Sequence, residues 1–388
     1  MRTTSGNDLS VILSGPYFSH SGFSKTNREL ALRLVKRGVR VKTDICNTRV
    51  EVSKSEEAEI RRLSNTQVPK GTPMVYSMTM PPIISGDCPR ILYTMMESSN
   101  SVHQEYAEKM NLASEVWVPT THMSDALSAA GISTPVYIVP LGVDEKVFSP
   151  ESAPARIPGA RAFRFLSLSW WGPRKGFDLL VKAFVGEFDS DEDVCLVISS
   201  RAHDNRPSSK IAEEIAGMAK STGKTDRPPI ILISKIMTDN EVASIYNACN
   251  VFVLATRGEG FSFPICEAAS CGLPVISTRC TAQATYLDDT NSYLINPEGY
   301  ELANPQDGRS SSVGRWCKFY EHQPFPIFTG KSIKRLGELM RETYVNRKDA
   351  EIRAMNLSYK VRSKLTWDNT VNTIIERLAD LAANGGKR

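Results

Sequence analysis

The sequence is short of several things, and each shortage narrows the reading. No apolar run approaches the roughly 20 residues that a membrane-spanning helix needs. The longest, such as Val251–Leu254, have the length of a strand. No Cys-x-x-Cys pair occurs, and eight cysteines are scattered over 388 residues. They read as reduced, mostly buried thiols rather than a disulfide framework. Gly (24) and Pro (22) are too few for a low-complexity or collagen-like chain. Neither charge dominates: 47 Lys and Arg stand against 43 Asp and Glu, a net charge of +4. Such a balance does not announce a nucleic-acid partner, whose basic face is usually plain, although it leaves room for a local basic groove. The opening residues, MRTTSGNDLS, hold no apolar stretch of the kind a signal peptide uses. These absences point to a globular, cytoplasmic chain without a transmembrane segment. At about 150 residues per domain, two to three domains are expected.

Two phosphate-binding fingerprints are missing as well. No G-x-x-x-x-G-K-[ST] occurs, so Gly330-Lys331-Ser332 is not a P-loop, and no G-x-G-x-x-G follows the first strand. His20, His103, His122, His203 and His322 lack zinc-ligand spacing. Asp189, Asp191 and Asp193 imitate metal-binding pairs but read as a solvated acidic turn.

What is present is alternation. Short apolar segments near residues 9–13, 39–43, 74–78, 91–94, 116–118 and 136–139 read as strands. A glycine-bearing loop over 14–23 and a helix over 24–37, stopped by Gly38, follow the first of them. Residues 148–163 hold Pro150, Pro154, Pro158 and Gly159 and read as a linker. A second alternating run has strands at 163–169, Val194–Ser199, Ile230–Ile233, Val251–Leu254 and 275–277, with a helix at 177–185. Thr238-Asp-Asn-Glu241 is a capping box that starts the helix before Val251. Residues 296–328 read as a long irregular loop, and 333–383 as helical with a break near Trp367. Strands spaced by helices predict an α/β protein with two parallel-sheet domains.

The most informative segment runs from Thr256 to Glu267, T-R-G-E-G-F-S-F-P-I-C-E. Physically, a strand ends, a glycine loop follows, and Ser262 is placed to cap a helix that tolerates Pro264 in its first turn. The N–H groups of residues 261–263 would then sit at a helix N-terminus beyond the carboxyl end of a strand. Parallel α/β sheets place anionic ligands there. Glu259 and Glu267 flank the turn. Each alone could be a solvated charge; together across a glycine-rich turn they are more specific.

This segment resembles the E-x7-E signature of retaining GT-B glycosyltransferases, above all family 4. The chain reads E-G-F-S-F-P-I-C-E-A-A-S-C-G-L-P-V-I from Glu259, with Ser262 where the family usually has Gly. Ser169-Trp-Trp-Gly-Pro-Arg-Lys-Gly176 resembles the block in which an Arg and a Lys hold the donor diphosphate. Lys175 matches the Lys; Ser169 stands at the Arg, and Arg174 is a candidate replacement. Gly15 and Gly22 lie where the family has a turn touching the diphosphate. Weaker likenesses are Trp117–His122, Val139–Asp144 with Phe148-Ser-Pro, and Leu365-Thr-Trp-Asp368. Ser234, Lys235 and Ile236 sit where a family turn contacts the base. Glu97 is the candidate for the place where many relatives have a His turn near the sugar. The likeness covers about residues 9–380.

The resemblance implies two Rossmann-like doubly wound domains facing across a cleft. Their expected extents are 1–147 joined by a C-terminal helix at 366–388, a linker at 148–162, and 163–365 for the donor. It implies a retaining, metal-independent, hexosyltransferase-like enzyme without a separate cofactor, moving a sugar from a nucleotide-diphosphate donor, most often UDP-linked. Glu259, Lys175, Arg174 and Glu97 are the catalytic candidates. Gly22, Ser234, Lys235, Ile236, Gly260, Phe261, Ser262 and Glu267 are the donor-binding ones. The acceptor stays open among a glycan, a lipid-linked sugar and another hydroxyl, since His20, Glu97 and Asn100 match no acceptor pattern. Peripheral membrane contact is compatible with the sequence. Alternatives are a nucleotide-sugar epimerase of the same fold, a transferase acting on a modified nucleic-acid base, and a non-catalytic sugar-nucleotide-binding protein.

Overall fold

The computed structural model describes residues 9–46, 50–79, 87–202, 206–303, 320 and 323–385. The chain divides into two compact units. One holds residues 1–96, 102–142 and 365–388; the other holds 97–101 and 143–364.

The first unit is built on β1 (Ser10–Gly15), β2 (Arg40–Ile45), β3 (Met74–Ser77), β4 (Arg90–Tyr93), β5 (Glu115–Val118) and β6 (Val136–Ile138). They form one sheet in the order β2-β1-β3-β4-β5-β6, with every neighbouring pair parallel. Helices α1 (Gly22–Lys36), α2 (Lys54–Ser64), α3 (Gln104–Met110) and α4 (Thr121–Ala129) connect the strands. Parallel strands are covered on both faces, and β5 is accordingly buried at every residue. Its Glu115 is tolerated because Arg377 (2.5 Å) and the Trp117 indole N–H (2.8 Å) both reach its carboxylate. Arg377 belongs to the last helix, Trp367–Gly385, which packs on this unit.

Two local differences from the expected elements have simple causes. The first helix starts at Gly22 because Ser21 caps it, its hydroxyl accepting from the Ser24 N–H. α2 was not expected, yet its start was written in the sequence: Ser53 and Glu56 form a complete capping box.

The second unit holds β7 (Phe163–Leu168), β8 (Val194–Ser199), β9 (Ile230–Ile233), β10 (Val251–Leu254), β11 (Val275–Thr278) and β12 (Tyr293–Ile295). The sheet order is β12-β11-β10-β7-β8-β9, again parallel throughout. α5 (Phe177–Glu187), α6 (Ser208–Lys220), α7 (Asp239–Asn247), α8 (Phe263–Ser270), α9 (Gly330–Val345) and α10 (Arg347–Lys364) pack around it; the last helix of the first unit, Trp367–Gly385, is α11. The core is aromatic: Phe165 lies 5.5 Å from Phe188 and 6.2 Å from Phe184, ring centre to ring centre. The stretch expected to be irregular instead contains an antiparallel ribbon, β13 (Gly299–Leu302) with β14 (Pro324–Ile327). Within it, residues 304–319, 321 and 322 lie outside the described residues.

In each sheet the order reverses once. In the second, β7 is the first strand of the unit, and the chain runs outward from it to β8 and β9, then returns to its other side at β10. The carboxyl ends of β7 and β10 are therefore the topological switch point, where open α/β sheets bind ligands. Among the described residues, no helix is long and apolar enough to cross a membrane.

The packing of α11 yields a stability test. A Cβ on Gly142 would lie 2.1 Å from the Trp367 backbone nitrogen, and backbone cannot swing aside as a side chain can. Gly142→Ala should destabilise the first unit by about 1–3 kcal/mol, read as a lower urea midpoint. An unchanged midpoint would refute the close approach.

Candidate functional site

The two loops at the switch point of the second unit are laced together. After β7 the chain makes a single 3-10 turn, Pro173–Lys175, that ends at Gly176 with φ +68°. A side chain at Gly176 would put its Cβ 1.8 Å from the Ala255 carbonyl oxygen. Both the left-handed backbone and the contact demand glycine. Arg257 pins the same turn from the other side. Its guanidinium donates to both oxygens of Asp178 (2.9 and 2.7 Å) and to the Pro173 carbonyl (2.6 Å), a bidentate geometry that holds orientation as well as distance. The Arg257 N–H donates to the Arg174 carbonyl (2.7 Å).

This lacing presents Glu259 to Lys175. The carboxylate is 4% exposed. It accepts from the Lys175 ammonium at 2.6 Å and from the Thr256 hydroxyl at 2.8 Å, while its backbone N–H donates to the Thr281 hydroxyl at 2.9 Å. Arg174 stands 3.6 Å from Glu259 and 3.4 Å from Glu97, and donates to the Gly258 carbonyl. Tyr320 closes the cluster by donating its hydroxyl to Glu97 at 2.5 Å. Gly258 is as constrained as Gly176, since its Cβ would meet the Glu97 carbonyl oxygen at 2.0 Å.

Burial works against every charge in this group, and the partners decide the outcome. Burial alone would raise the Glu259 carboxyl, but Lys175, Arg174 and the Thr256 hydroxyl outweigh it and hold the group below the usual carboxylate range. Burial pulls Lys175 below the usual lysine range, and Glu259 offsets only part of that. For Arg174, Glu97 and Glu259 more than offset burial, so the guanidinium is held charged. Burial and then Glu97 push Tyr320 well above the usual phenol range, which keeps it a hydrogen-bond donor.

The helix after the loop differs from expectation at its start. Ser262 does not cap α8 with its side chain. A capping serine needs an extended backbone, whereas Ser262 sits at φ +73°, ψ 73°. It occupies the left-handed conformation that a glycine would adopt freely. Phe261 is buried against Phe263 and Tyr286, and Tyr286 donates to the Phe261 carbonyl at 2.6 Å. Glu267 is not solvated: it is buried and accepts from the Tyr246 hydroxyl at 3.2 Å. The neighbouring thiols are inert, since burial pushes Cys271 up to about 12 and Cys266 higher still.

The structure thus brings Glu97, Arg174, Lys175 and Glu259 together, with Gly260, Phe261, Ser262 and Glu267 on the same loop and helix. Ser234, Lys235 and Ile236 form a separate turn after β9, where Lys235 pairs with Glu241 at 2.9 Å and Ile236 is exposed. Gly22 is the first residue of α1 in the other unit. Gly15, in that unit, lies against Asn27 and the Ser77 carbonyl, too close for any side chain. His103 caps α3. In the acidic turn Asp189 pairs with Lys224 (2.6 Å) and Glu192 with Arg341, while Asp191 and Asp193 are exposed. His203 and His322 lie outside the described residues. No group of three or more His, Cys, Asp or Glu able to hold a metal occurs among the described residues.

Sequence reasoning missed Thr256, Arg257 and Tyr320. Arg257 could have been found, because an arginine two positions before Glu259, with an aspartate just after Gly176, is a pair that two adjacent loops can close. Nothing local marks Tyr320.

Residues 162–304 match the family described as Glycosyl transferases group 1. The MMP alpha-(1->4)-mannosyltransferase of Mycolicibacterium hassiacum is 28% identical over 191 residues, 49% of this chain and 41% of that protein. Mannosylfructose-phosphate synthase of Agrobacterium fabrum is 27% identical over 150 residues, 37% of this chain and 32% of that protein. The matched part thus spans less than half the length of these curated relatives. Among solved structures, Anabaena HepE in complex with UDP and glucose superposes with a TM-score of 0.65 at 12% identity, covering 96% of this chain and all of that one. The alpha,alpha-trehalose 6-phosphate synthase of Burkholderia multivorans gives 0.68 at 11% identity, covering 97% and 98%. The fold, two six-stranded parallel sheets with interleaved helices, is that of the GT-B glycosyltransferases.

Two outcomes follow from the buried pair. Glu259→Gln leaves the Lys175 ammonium buried without its carboxylate and should cost about 3–5 kcal/mol. Because the folded state lowers the Glu259 pKa, the stability it contributes is present above the ordinary carboxylate range and is lost as the pH falls toward the folded value. The variant should therefore lose part of the wild type's acid sensitivity, as measured by urea unfolding at pH 7 and pH 4. Equal pH slopes in both proteins would show that Glu259 is not held ionised. Separately, Ser262→Gly should fold at least as stably as the wild type, because it relieves roughly 1–2 kcal/mol of left-handed strain. A clear loss of stability would contradict that backbone conformation.

Proposed function

We propose that the chain is a retaining glycosyltransferase of the family 4 type, moving a hexose from a nucleotide-diphosphate sugar to an acceptor hydroxyl without a metal ion. One observation carries the reading. A buried glutamate 2.6 Å from a largely buried lysine occupies the two loops at the switch point of the domain that matches the group 1 transferases.

The barrier in such a transfer is the charge that gathers on the departing diphosphate. Positioned cations and backbone N–H groups in a water-poor site lower it most effectively. Lys175, partly offset by Glu259, would supply some of that charge, and the N–H groups after Gly260, at the start of α8, would add to it. Glu267, fixed by Tyr246, would accept hydrogen bonds from the ribose diol. Glu259 would orient the sugar and keep Lys175 in place. The acceptor proton would leave toward the donor phosphate on the same face, so the anomeric configuration is retained. Glu97 would stand near the sugar, and the 234–236 turn near the base.

Two similar proteins support the choice of donor. One solved relative holds UDP and glucose, and one curated relative is a mannosyltransferase. A UDP-linked hexose is therefore the first donor to test, and a GDP-linked one the second. A sugar hydroxyl is the first acceptor class to test.

A thermal-shift panel of nucleotide diphosphates and nucleotide sugars tests the reading, since binding raises stability with the logarithm of saturation. One class of nucleotide sugar should raise the melting temperature, and Lys175→Ala and Glu267→Ala should each weaken that donor about tenfold or more. Unchanged donor titration in both variants would remove the site assignment. Conversion of donor alone into another sugar nucleotide would mark an epimerase instead.

A further inference from the structure

The catalytic cluster carries no net positive charge. Arg174 and Lys175 face Glu97 and Glu259, so two cations are matched by two carboxylates. Arg257 is bound to Asp178 and Lys235 to Glu241. A diphosphate arriving at this edge of the sheet meets cations whose charge is already compensated. Arg174 in particular is held by Glu97, Glu259 and the Gly258 carbonyl, so it is a poor replacement for the arginine absent at Ser169.

One cation at the same edge is differently placed. Arg201 follows β8, the strand next to β7, and the two chains continue side by side past their last ladder positions. The Ser169 N–H donates to the Ser199 carbonyl (3.2 Å), the Trp171 N–H donates to the Arg201 carbonyl (2.8 Å), and Trp171 bridges Ala202. The Arg201 guanidinium lies over the Trp170 ring, 5.6 Å from its centre. Both side chains are partly exposed. Among the described residues no carboxylate pairs with Arg201. Beside it, the Ser169 hydroxyl is buried and has no hydrogen-bond partner among the described residues.

The order of strands gives the distance. Glu259 follows β10, Lys175 follows β7, Arg201 follows β8 and Ser234 follows β9, and these four strands are consecutive neighbours. Neighbouring strands are about 4.8 Å apart, so the edge from β10 to β9 spans roughly 14 Å. That is the scale of an extended sugar, diphosphate and nucleoside. Arg201 follows the strand that lies between those leading to Lys175 and to the 234–236 turn.

We propose that Arg201, lying over the Trp170 ring, binds the donor diphosphate and supplies the cation that this chain lacks at Ser169. The inference rests on the reading of the chain as a nucleotide-sugar transferase. A planar guanidinium offers paired donors that match phosphate oxygens. The face of an indole attracts a guanidinium that lies over it.

The test is isothermal titration of the full chain with UDP, GDP, UMP and GMP, for the wild type, Arg201→Ala, Arg201→Lys and Trp170→Phe. Arg201→Ala should weaken the diphosphate that binds by about 10- to 100-fold and the matching monophosphate by much less, with an unchanged melting temperature. Arg201→Lys should recover part of the loss, and Trp170→Phe should keep most of the affinity. If the wild type binds a diphosphate and Arg201→Ala binds it equally well, the role of Arg201 is overturned while the transferase reading stands. An equal loss for mono- and diphosphate would also overturn it, because it would mark a general disturbance of the loop. If the wild type binds no nucleotide at all, both readings fail together.

Discussion

The second unit is organised around one constraint: a glutamate and a lysine must meet out of water. A buried ion pair is not in itself a source of stability, because desolvating both charges costs about as much as their attraction returns. Its presence therefore has to be enforced by the surroundings, and the surroundings are visibly shaped to do so. Gly176 has no Cβ, so the lysine turn can lie against Ala255. Gly258 has none, so the loop can lie against Glu97. Arg257 bridges the two loops through Asp178 and Pro173. Gly176 and Arg257 bring the β7 and β10 loops close enough for a 2.6 Å contact, and Gly258 seats the second loop against Glu97.

The topology explains why this expense falls where it does. β7 and β10 are adjacent in the sheet yet far apart in sequence, because the chain runs to β8 and β9 between them. Their helices consequently leave in opposite directions, opening a crevice above the two carboxyl ends. Four neighbouring strands, β10, β7, β8 and β9, end at that edge. The aromatic packing of Phe165 with Phe184 and Phe188 lies below and keeps the strand ends fixed. Rigid support of this kind holds the side chains above it at set positions.

How much of this could be read from the sequence follows from the range of the interactions involved. Strands such as Val194–Ser199 and Val251–Leu254 were legible because burial on both faces writes a continuous apolar run. The Thr238 capping box was legible because it is complete within four residues. The loop carrying Glu259 and Glu267 stood out by its glycines and its fixed spacing. The Glu97–Tyr320 contact was not legible, since 223 residues separate the partners and neither lies in a periodic segment. The β13–β14 ribbon was missed for a related reason: with four residues per strand and Pro in β14, it gives almost no alternation to read. Ser262 was misjudged because serine before a helix usually caps it, and only the backbone angle reveals that this one does not.

That last misjudgement bears on the site itself. At the place where the resembled family has glycine, this chain keeps a left-handed backbone with a serine in it. A strained conformation that survives the loss of its natural residue is being imposed by its neighbours. Here they are the buried Phe261, held through its carbonyl by Tyr286, and the Ala282 N–H that donates to the Glu259 carbonyl. The same contacts that fix Glu259 for Lys175 therefore aim the first turn of α8. The acidic residue and the helix start are tied together within a single loop.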